Sequence, residues 1–336
     1  MENLAPIYHS EIPSLLSELC QTPPMQRLRQ VGMNCGCEYT SYPRFQRGRD
    51  YSRFHHSLGV GMIVWHFTHD PAQAAAGLLH DIATPVFAHV VDFLRGDYLT
   101  QEATEDGTRE LIETSSQLQK VLGCYGLATE EVADYHRYPI ADNDSPRLSA
   151  DRLEYTLGNA LNYGFLRREQ ILELYGNLTV GVNEEGEPEL AFRSREACLL
   201  FARTALRCAK VYVSSEDRYA MQRLSELLAK GCQIGVFSET DLSGTEPQII
   251  ALLKNSPLRS AWEEYCALSR IRTALPNAFD PDVPPDDRPW RVIPAKKRRI
   301  DPLQAGAGRA TALDSAFAGE LAAFLSVPQT EWVLGE

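Results

Sequence analysis

The stretch RFHHSLGVGMIVWHF (residues 53–67), followed by AAAGLLHDIATPVFAHVVDF (residues 74–93), decides the fold. It predicts three consecutive helices that carry His56, then the adjacent pair His80–Asp81, and then His89. Imidazole and carboxylate groups are ligand types that hold a borderline divalent metal. The stretch therefore places three sets of candidate ligands close together along the chain.

The limits of the second helix are marked by its own residues. Asp70 can cap the helix, and Pro71 then occupies its first position, where the missing N–H costs nothing. Alanine and leucine continue it as a good helix with an apolar face. Pro85 breaks the pattern, so the His80–Asp81 pair falls at the end of that face.

A lone histidine on an apolar helix is usually a satisfied core residue, but the adjacent His80–Asp81 pair is harder to explain in that way. An ionised carboxylate at the end of a run as apolar as AAAGLL is costly to bury unless it is paired or binds a cation. The stretch thus predicts a metal site, provided that a remote ligand completes it.

The remote ligand is sought in SADRLEYTLGNALNYG (residues 149–164), which predicts a helix capped by Ser149. Asp151, Tyr155 and Asn159 recur every four residues and therefore share one side of that helix. Two interpretations stay open. The stripe is either a solvated helix face, or Asp151 is the missing ligand and the other two side chains face a substrate.

Composition limits the class of protein. The 336 residues are 44% hydrophobic and 23% charged, as in ordinary globular proteins. The N-terminus lacks a secretory signal and no apolar run is long enough to span a bilayer, so we expect a cytoplasmic protein without a membrane partner. The formal net charge of -12 argues against non-specific nucleic-acid binding, which needs many phosphate contacts from Lys and Arg.

Two clusters could still form a local basic pocket. The early cluster, Arg44, Arg47, Arg49 and Arg53, lies largely in the loop 34–52, which we expect to be a mobile arginine-rich flap beside the site. For the late run KKRR, residues 296–299, a solvated surface is the favoured interpretation.

Four phrases, MQRLRQV, SRFHHSLGV, AGLLHDIATPVFAH and SADRLEY, resemble in that order the HD-domain phosphohydrolases, and most closely the branch that includes deoxynucleoside triphosphate triphosphohydrolases. The resemblance covers residues 25–165. It implies that His56, His80, Asp81 and Asp151 hold a divalent metal ion. Mn, Fe, Mg, Co, Ni and Zn all stay open.

The resemblance also implies the roles of other side chains. Arg53 would contact a substrate phosphate. His89 would work at the scissile phosphate with Asp92 orienting it, and Asp81 would complete the catalytic set. Further substrate contacts are implied at Arg152, Tyr155, Asn159 and Tyr212.

The implied fold class is mostly α. We expect a lead-in over residues 1–24 and an HD-domain metal-binding helical core over 25–165. A helical extension would cover 166–275, with a small β-hairpin near 178–193. An irregular C-terminal part would cover 276–336, made of a Pro-rich linker, a basic segment and a last helix.

Two departures from the family pattern leave the function open. Thr84 and Gln101 stand where triphosphohydrolases have histidines that handle phosphate charge or proton transfer. The leading hypothesis is a metal-dependent phosphohydrolase acting on a small nucleotide, of the dNTP kind. The alternatives are a non-catalytic nucleotide-binding or regulatory HD protein, and a phosphohydrolase on a non-nucleotide phosphate. Relatives often form dimers or tetramers, so a homo-oligomer also stays open.

Overall fold

The computed structural model describes residues 4–47, 50–91, 107–276 and 282–336; Asp92 and Gln101 lie outside these ranges. The described chain is mostly helical, as predicted. Its α-helices are α1 (Ala5–Tyr8), α2 (Ser14–Cys20), α3 (Pro23–Arg27), α4 (Arg53–Thr68), α5 (Pro71–Leu79), α6 (Thr108–Thr114), α7 (Ser116–Cys124), α8 (Thr129–Val132), α9 (Ala150–Asn162), α10 (Arg168–Gly176), α11 (Arg195–Tyr212), α12 (Ser215–Gln233), α13 (Glu246–Lys254), α14 (Arg259–Ala267), α15 (Ala310–Leu313) and α16 (Ser315–Ser326). The strands are β1 (Leu178–Val182), β2 (Pro188–Phe192), β3 (Ile271–Ala274), β4 (Leu303–Gln304), β5 (Gly308–Arg309) and β6 (Trp332–Gly335).

The first two predicted helices are α4 and α5. The Asp70 carboxylate accepts hydrogen bonds from the backbone N–H groups of Ala72 at 2.9 Å and Gln73 at 3.2 Å, and Pro71 is the first helical residue, as predicted. Because α5 ends at Leu79, the His80–Asp81 pair lies just beyond its last turn.

The prediction of His89 on a third helix is wrong for the residues described. The backbone turns before His89, with positive φ at Phe87 (58°) and Ala88 (45°), and helical backbone begins only at Val90. Arg27 holds this turn: its Nη2 donates to the carbonyl oxygens of Ile82 at 2.9 Å and Thr84 at 2.8 Å. A turn fixed in this way sets the direction from which His89 approaches the site.

Helix α9 packs tightly against α4 and the segment before it. A Cβ on Gly59 of α4 would lie 2.5 Å from Cγ of Glu154, so only glycine leaves room for that side chain. On α9, Gly158 makes the same kind of room for the ring of Tyr51. The predicted cap is present, since Ser149 Oγ accepts from the Arg152 N–H at 3.2 Å.

The later part of the chain contains two small sheets. Strands β1 and β2 form the predicted antiparallel hairpin. Strand β2 also pairs in parallel with β4, and β4 pairs with β5, which gives the order β1-β2-β4-β5. A separate antiparallel pair, β3–β6, brings the end of the chain back to α12.

Over its described residues, 34–47 and 50–52, the loop 34–52 packs into the core and is not a flap; Arg49 lies outside the described residues. Cys37, Tyr42 and Phe45 are at most 1% exposed and pack in a second hydrophobic cluster with α12 and α14. The loop folds against the core because burying these apolar aromatic and thiol side chains removes them from water, which stabilises the folded conformation. Arg44 and Arg47 are exposed on its outer side.

Over the described ranges, none of the helices combines the length and apolar character needed to cross a bilayer.

The surroundings of two helical glycines predict opposite effects of alanine substitution on the free energy of unfolding. A Cβ at Gly158 would lie 2.4 Å from the Tyr51 hydroxyl oxygen, whereas a Cβ at Gly123 of α7 would meet no atom within 4 Å. We expect Gly158→Ala to lower the free energy of unfolding by about 1–3 kcal/mol through overpacking. Gly123→Ala should raise it by up to about 1 kcal/mol through helix propensity. Urea denaturation measures both, and a Gly158→Ala protein as stable as the wild type would contradict the packing.

Candidate metal centre

Three side chains from distant parts of the chain meet at one point. His56 Nε2 lies 3.2 Å from His80 Nε2 and 3.1 Å from Asp151 Oδ1, and His80 Nε2 lies 3.8 Å from the same oxygen. Ligands about 2.0–2.2 Å from a shared ion lie roughly 3–4 Å from one another. His56, His80 and Asp151 therefore form a group that could hold a metal ion.

Asp81 lies beside this group. Its Oδ2 is 3.8 Å from His56 Nε2 and 3.6 Å from His80 Nε2. The same oxygen accepts a hydrogen bond from Arg53 Nη1 at 2.7 Å. Its Oδ1 accepts from the hydroxyl of Thr84 at 2.9 Å. Thr84, one of the two departures from the family pattern, thus orients the Asp81 carboxylate from a fully buried position.

Glu154 is a site residue that the sequence analysis missed. Its Oε2 lies 2.7 Å from Nδ1 of His56 and accepts a hydrogen bond from the Tyr51 hydroxyl at 2.5 Å. The side chain is 2% exposed. A carboxylate on the outer ring nitrogen fixes the tautomer and orientation of a metal-binding histidine. The available signal was its place three residues after Asp151, which puts both carboxylates on neighbouring positions of α9.

The second histidine is oriented by the backbone. Nδ1 of His80 lies 2.8 Å from the carbonyl oxygen of Gly77, so this nitrogen is the N–H donor and Nε2 keeps its lone pair. Both Nε2 atoms therefore face the centre as potential ligands.

The electrostatics of the centre favour a cation. Burial alone would lower the pKa of His56, but its hydrogen bonds to Asp151 and Glu154, together with their charges, raise it to about 10. Burial acts to raise the pKa of Asp81, yet the charge of Arg53 helps hold it well below its usual range. Burial also acts to raise the pKa of Asp151, but the hydrogen bond from His56 and the charges of His56, His80 and Arg152 together lower it to about 2. A divalent cation would supply the positive charge that these carboxylates favour.

The centre opens into a cavity of about 850 Å³. Every predicted site residue within the described ranges lines it: Arg53, His56, His80, Asp81, His89, Asp151, Arg152, Tyr155, Asn159 and Tyr212. The structure therefore brings all of these together, while Asp92 lies outside the described residues. The exposed Arg44 and Arg47 are not among the lining residues.

One wall of the cavity follows the predicted stripe of α9. Asn159 Nδ2 donates to the Tyr212 hydroxyl at 2.9 Å, and the rings of Tyr155 and Tyr212 meet edge to face at 6.3 Å. Arg152 is tied to Asp142, with Nη1 3.0 Å from Oδ1. Beyond the candidate ligand Asp151, α9 thus presents the phenol of Tyr155 and the amide of Asn159 to the cavity, and α11 adds the phenol of Tyr212.

The prediction that the run at 296–299 is a solvated surface is wrong for Lys297 and Arg298, which are half-buried, whereas Lys296 and Arg299 are exposed. Lys296 and Arg298 line the cavity, and Arg298 Nη2 lies 3.3 Å from His89 Nε2. Because a guanidinium is always a donor, His89 Nε2 accepts in this arrangement. The sequence showed the charge of the run but not which of its side chains turn inward.

Comparisons with known proteins find similar sequences over different shares of this chain. The uncharacterized protein YdhJ of Bacillus subtilis is 26% identical over 249 residues, which are 73% of this chain and 72% of YdhJ. The metal-dependent phosphohydrolase cns2 of Cordyceps militaris is 26% identical over 216 residues, 62% of this chain and 58% of cns2. The chicken deoxynucleoside triphosphate triphosphohydrolase SAMHD1 is 30% identical over 144 residues, only 37% of this chain and 23% of SAMHD1.

A solved structure covers nearly the whole fold. A phosphohydrolase from Bacteroides thetaiotaomicron superposes with a TM-score of 0.63 at 18% identity, over 97% of this chain and 96% of that chain. At this identity the likeness shows the fold alone. No protein-family model matches the sequence.

The hydrogen bond between Glu154 and His56 predicts a loss of metal affinity when the carboxylate charge is removed. Glu154→Gln keeps the shape of the side chain but weakens the hold on His56, so we expect metal affinity to fall about 10- to 100-fold. Titration with Mn²⁺ against a competing chelator measures the change. Glu320→Gln, at an exposed position of α16, is the matched control. Equal affinity in the two variants would show that Glu154 does not support the centre.

Proposed function

Because this chain is a relative of the HD-domain metal-dependent phosphohydrolases, we propose that it hydrolyses a phosphate ester of a nucleotide of the deoxynucleoside triphosphate kind. The observation that carries the proposal is the meeting of His56, His80 and Asp151 on the wall of a large cavity, with Asp81 beside them. Arginine, tyrosine and amide side chains that can bind a phosphate and a sugar line the same cavity.

We assign the metal to His56, His80, Asp81 and Asp151. When bound, such an ion polarises a phosphoryl oxygen and lowers the pKa of bound water. Two imidazoles and two carboxylates neutralise a divalent ion. Their hydrogen bonds to Glu154, Thr84 and the backbone keep the ligand atoms in place without it.

The remaining side chains bind and position the substrate. Arg53 lies next to the ligand set, with Nη1 on Asp81, so its guanidinium faces the phosphate nearest the centre. His89 lies on the cavity wall and is suited to exchange a proton with the phosphate or its leaving oxygen. Tyr155, Asn159 and Tyr212 form a wall fitted to a sugar, because phenol faces pack on it and the polar atoms can pair with hydroxyls.

The nucleotide part of the proposal has two supports. One is the partial similarity to SAMHD1, whose name states a deoxynucleoside triphosphate substrate. The other is the size of the cavity, since about 850 Å³ exceeds what a bare phosphate needs.

The test removes one ligand charge and follows metal and product together. We expect Asp151→Asn to lose bound metal and to release product at least 100-fold more slowly than the wild type, since both depend on the same carboxylate. Metal content is measured by mass spectrometry. Turnover is measured with a panel of nucleotides and simple phosphate esters in the presence of Mn, Fe, Co, Mg, Ni or Zn. Asp287→Asn, at an exposed position, is the control.

The outcomes separate the candidate functions. Turnover that survives in a metal-free Asp151→Asn protein contradicts the proposal. Saturable nucleotide binding with no turnover in the wild type favours a non-catalytic, regulatory protein. Turnover confined to simple esters favours a non-nucleotide substrate.

A further inference from the structure

We propose that Lys296 and Arg298 bind the phosphates that extend beyond the metal centre, so that the cavity selects a substrate with a chain of phosphates over a monophosphate. This inference rests on the proposed function and names the substrate class of the same site. Residues 293–301, here called the basic strap, carry both side chains.

The basic strap is fixed to the rest of the protein at every second residue. The Ala295 N–H donates to Gln329 Oε1 at 2.5 Å. Lys297 Nζ donates to the carbonyl oxygens of Phe324 at 3.0 Å and Leu325 at 2.8 Å, at the end of α16. Cations at helix C-termini are favoured by the exposed carbonyl groups there.

Two further ties continue the same alternation. The carbonyl oxygen of Arg299 accepts from the Ser145 hydroxyl at 3.1 Å, and the Asp301 N–H donates to the carbonyl oxygen of Pro146 at 2.8 Å. The odd-numbered residues thus anchor the basic strap, while Lys296 and Arg298 between them line the cavity. These ties fix the basic strap on both sides of Lys296 and Arg298. The backbone that carries the two cations is therefore held beside the cavity.

The cavity needs these charges if it binds several phosphates. Arg53 Nη1 is paired with Asp81 at 2.7 Å, and Arg152 Nη1 with Asp142 at 3.0 Å. Asp142 offsets much of the charge of Arg152, and Arg53 shares the Asp81 carboxylate with the proposed metal ion. Each further phosphate of a substrate adds negative charge that other cations must balance. Arg298 lines the cavity next to His89, and Lys296 lines it as an exposed side chain.

Spacing supports a chain of phosphates. Two residues of chain span at most about 7 Å, which is the largest separation that positions 296 and 298 can have. Arg298 lies at His89, and its charge also reaches Tyr155, where it opposes the burial that raises the pKa of that phenol to about 12. A phosphate beside His89 would meet Arg298, and the next phosphates along the chain would meet Lys296. A monophosphate placed at the metal centre would use at most the first of these contacts.

The contact between Arg298 and His89 links phosphate binding by Arg298 to the ability of His89 to exchange a proton. While Arg298 donates to His89 Nε2, that nitrogen has no proton to give. A phosphate oxygen that takes over the guanidinium leaves Nε2 facing the substrate. Arg298 would therefore affect turnover as well as binding, whereas Lys296 would affect binding alone.

The experiment measures binding and turnover in three variants. Lys296→Ala and Arg298→Ala remove the proposed contacts, and Arg299→Ala removes an equal charge at an exposed position of the same strap. Calorimetry with inorganic tripolyphosphate and with orthophosphate reports binding without catalysis. We expect each of the first two variants to weaken tripolyphosphate binding about 10- to 100-fold. Orthophosphate binding to Lys296→Ala, and both ligands on Arg299→Ala, should stay within about twofold of the wild type.

Kinetics with deoxynucleoside mono-, di- and triphosphates complete the test. Lys296→Ala should raise KM for the triphosphate with little change in kcat, and Arg298→Ala should change both. Arg298→Lys should recover part of the binding, which a purely structural role would not predict. Since Lys296 is exposed, its variant keeps the test decisive even if Arg298→Ala folds poorly.

The outcomes distinguish this inference from the proposed function. If tripolyphosphate binding depends on Lys296 and Arg298 but no nucleotide is hydrolysed, the proposed function fails and the binding assignment stands. If nucleotides are hydrolysed while both variants match Arg299→Ala in binding and kinetics, the assignment is overturned and the function stands. A wild-type protein that binds orthophosphate as tightly as tripolyphosphate also overturns it.

Discussion

The structure depends on one buried histidine held between two carboxylates of a single helix. Asp151 lies 3.1 Å from Nε2 of His56, and Glu154 lies 2.7 Å from its Nδ1. Buried charges on this scale are tolerated only when they are paired and hydrogen-bonded. The helix that carries both carboxylates must therefore lie close against α4, and Gly59 provides the space for that approach. The close packing of α9 on α4 therefore determines both the core at this point and the positions of the candidate metal ligands.

The rest of the site is built around the turn that follows the His80–Asp81 pair. Arg27 binds its carbonyl oxygens, and Glu246 accepts the Phe87 N–H at 3.2 Å from the start of α13. These contacts connect the first hydrophobic cluster, which surrounds the metal ligands, to the second cluster beneath the loop 34–52. The cavity has residues of both clusters on its walls, so the two parts of the chain must pack together before the site is complete.

The charge of the cavity differs from the charge of the protein as a whole. The protein as a whole is acidic, with a formal net charge of -12. The cavity nevertheless gathers arginine and lysine side chains from α4, α9 and the C-terminal part. Acidic surfaces repel extended polyanions, whereas a small cavity lined by fixed cations binds a compact one. This arrangement matches the small phosphate substrate that we propose.

The sequence by itself determined the helical fold class, the caps of α5 and α9, the hairpin and the candidate ligands, because these features depend on neighbouring residues in the chain. It missed that Lys296 and Arg298 line the cavity and that Cys37, Tyr42 and Phe45 of the loop pack into the core, and it placed His89 on a helix. Those features depend on contacts between residues far apart in sequence: Arg298 meets His89 across 209 positions, and Glu154 meets His56 across 98. Local propensity carries no information about such distant partners. Only the packed structure decided which charges are buried together, because the cost of burying each one is met by a side chain from another part of the chain.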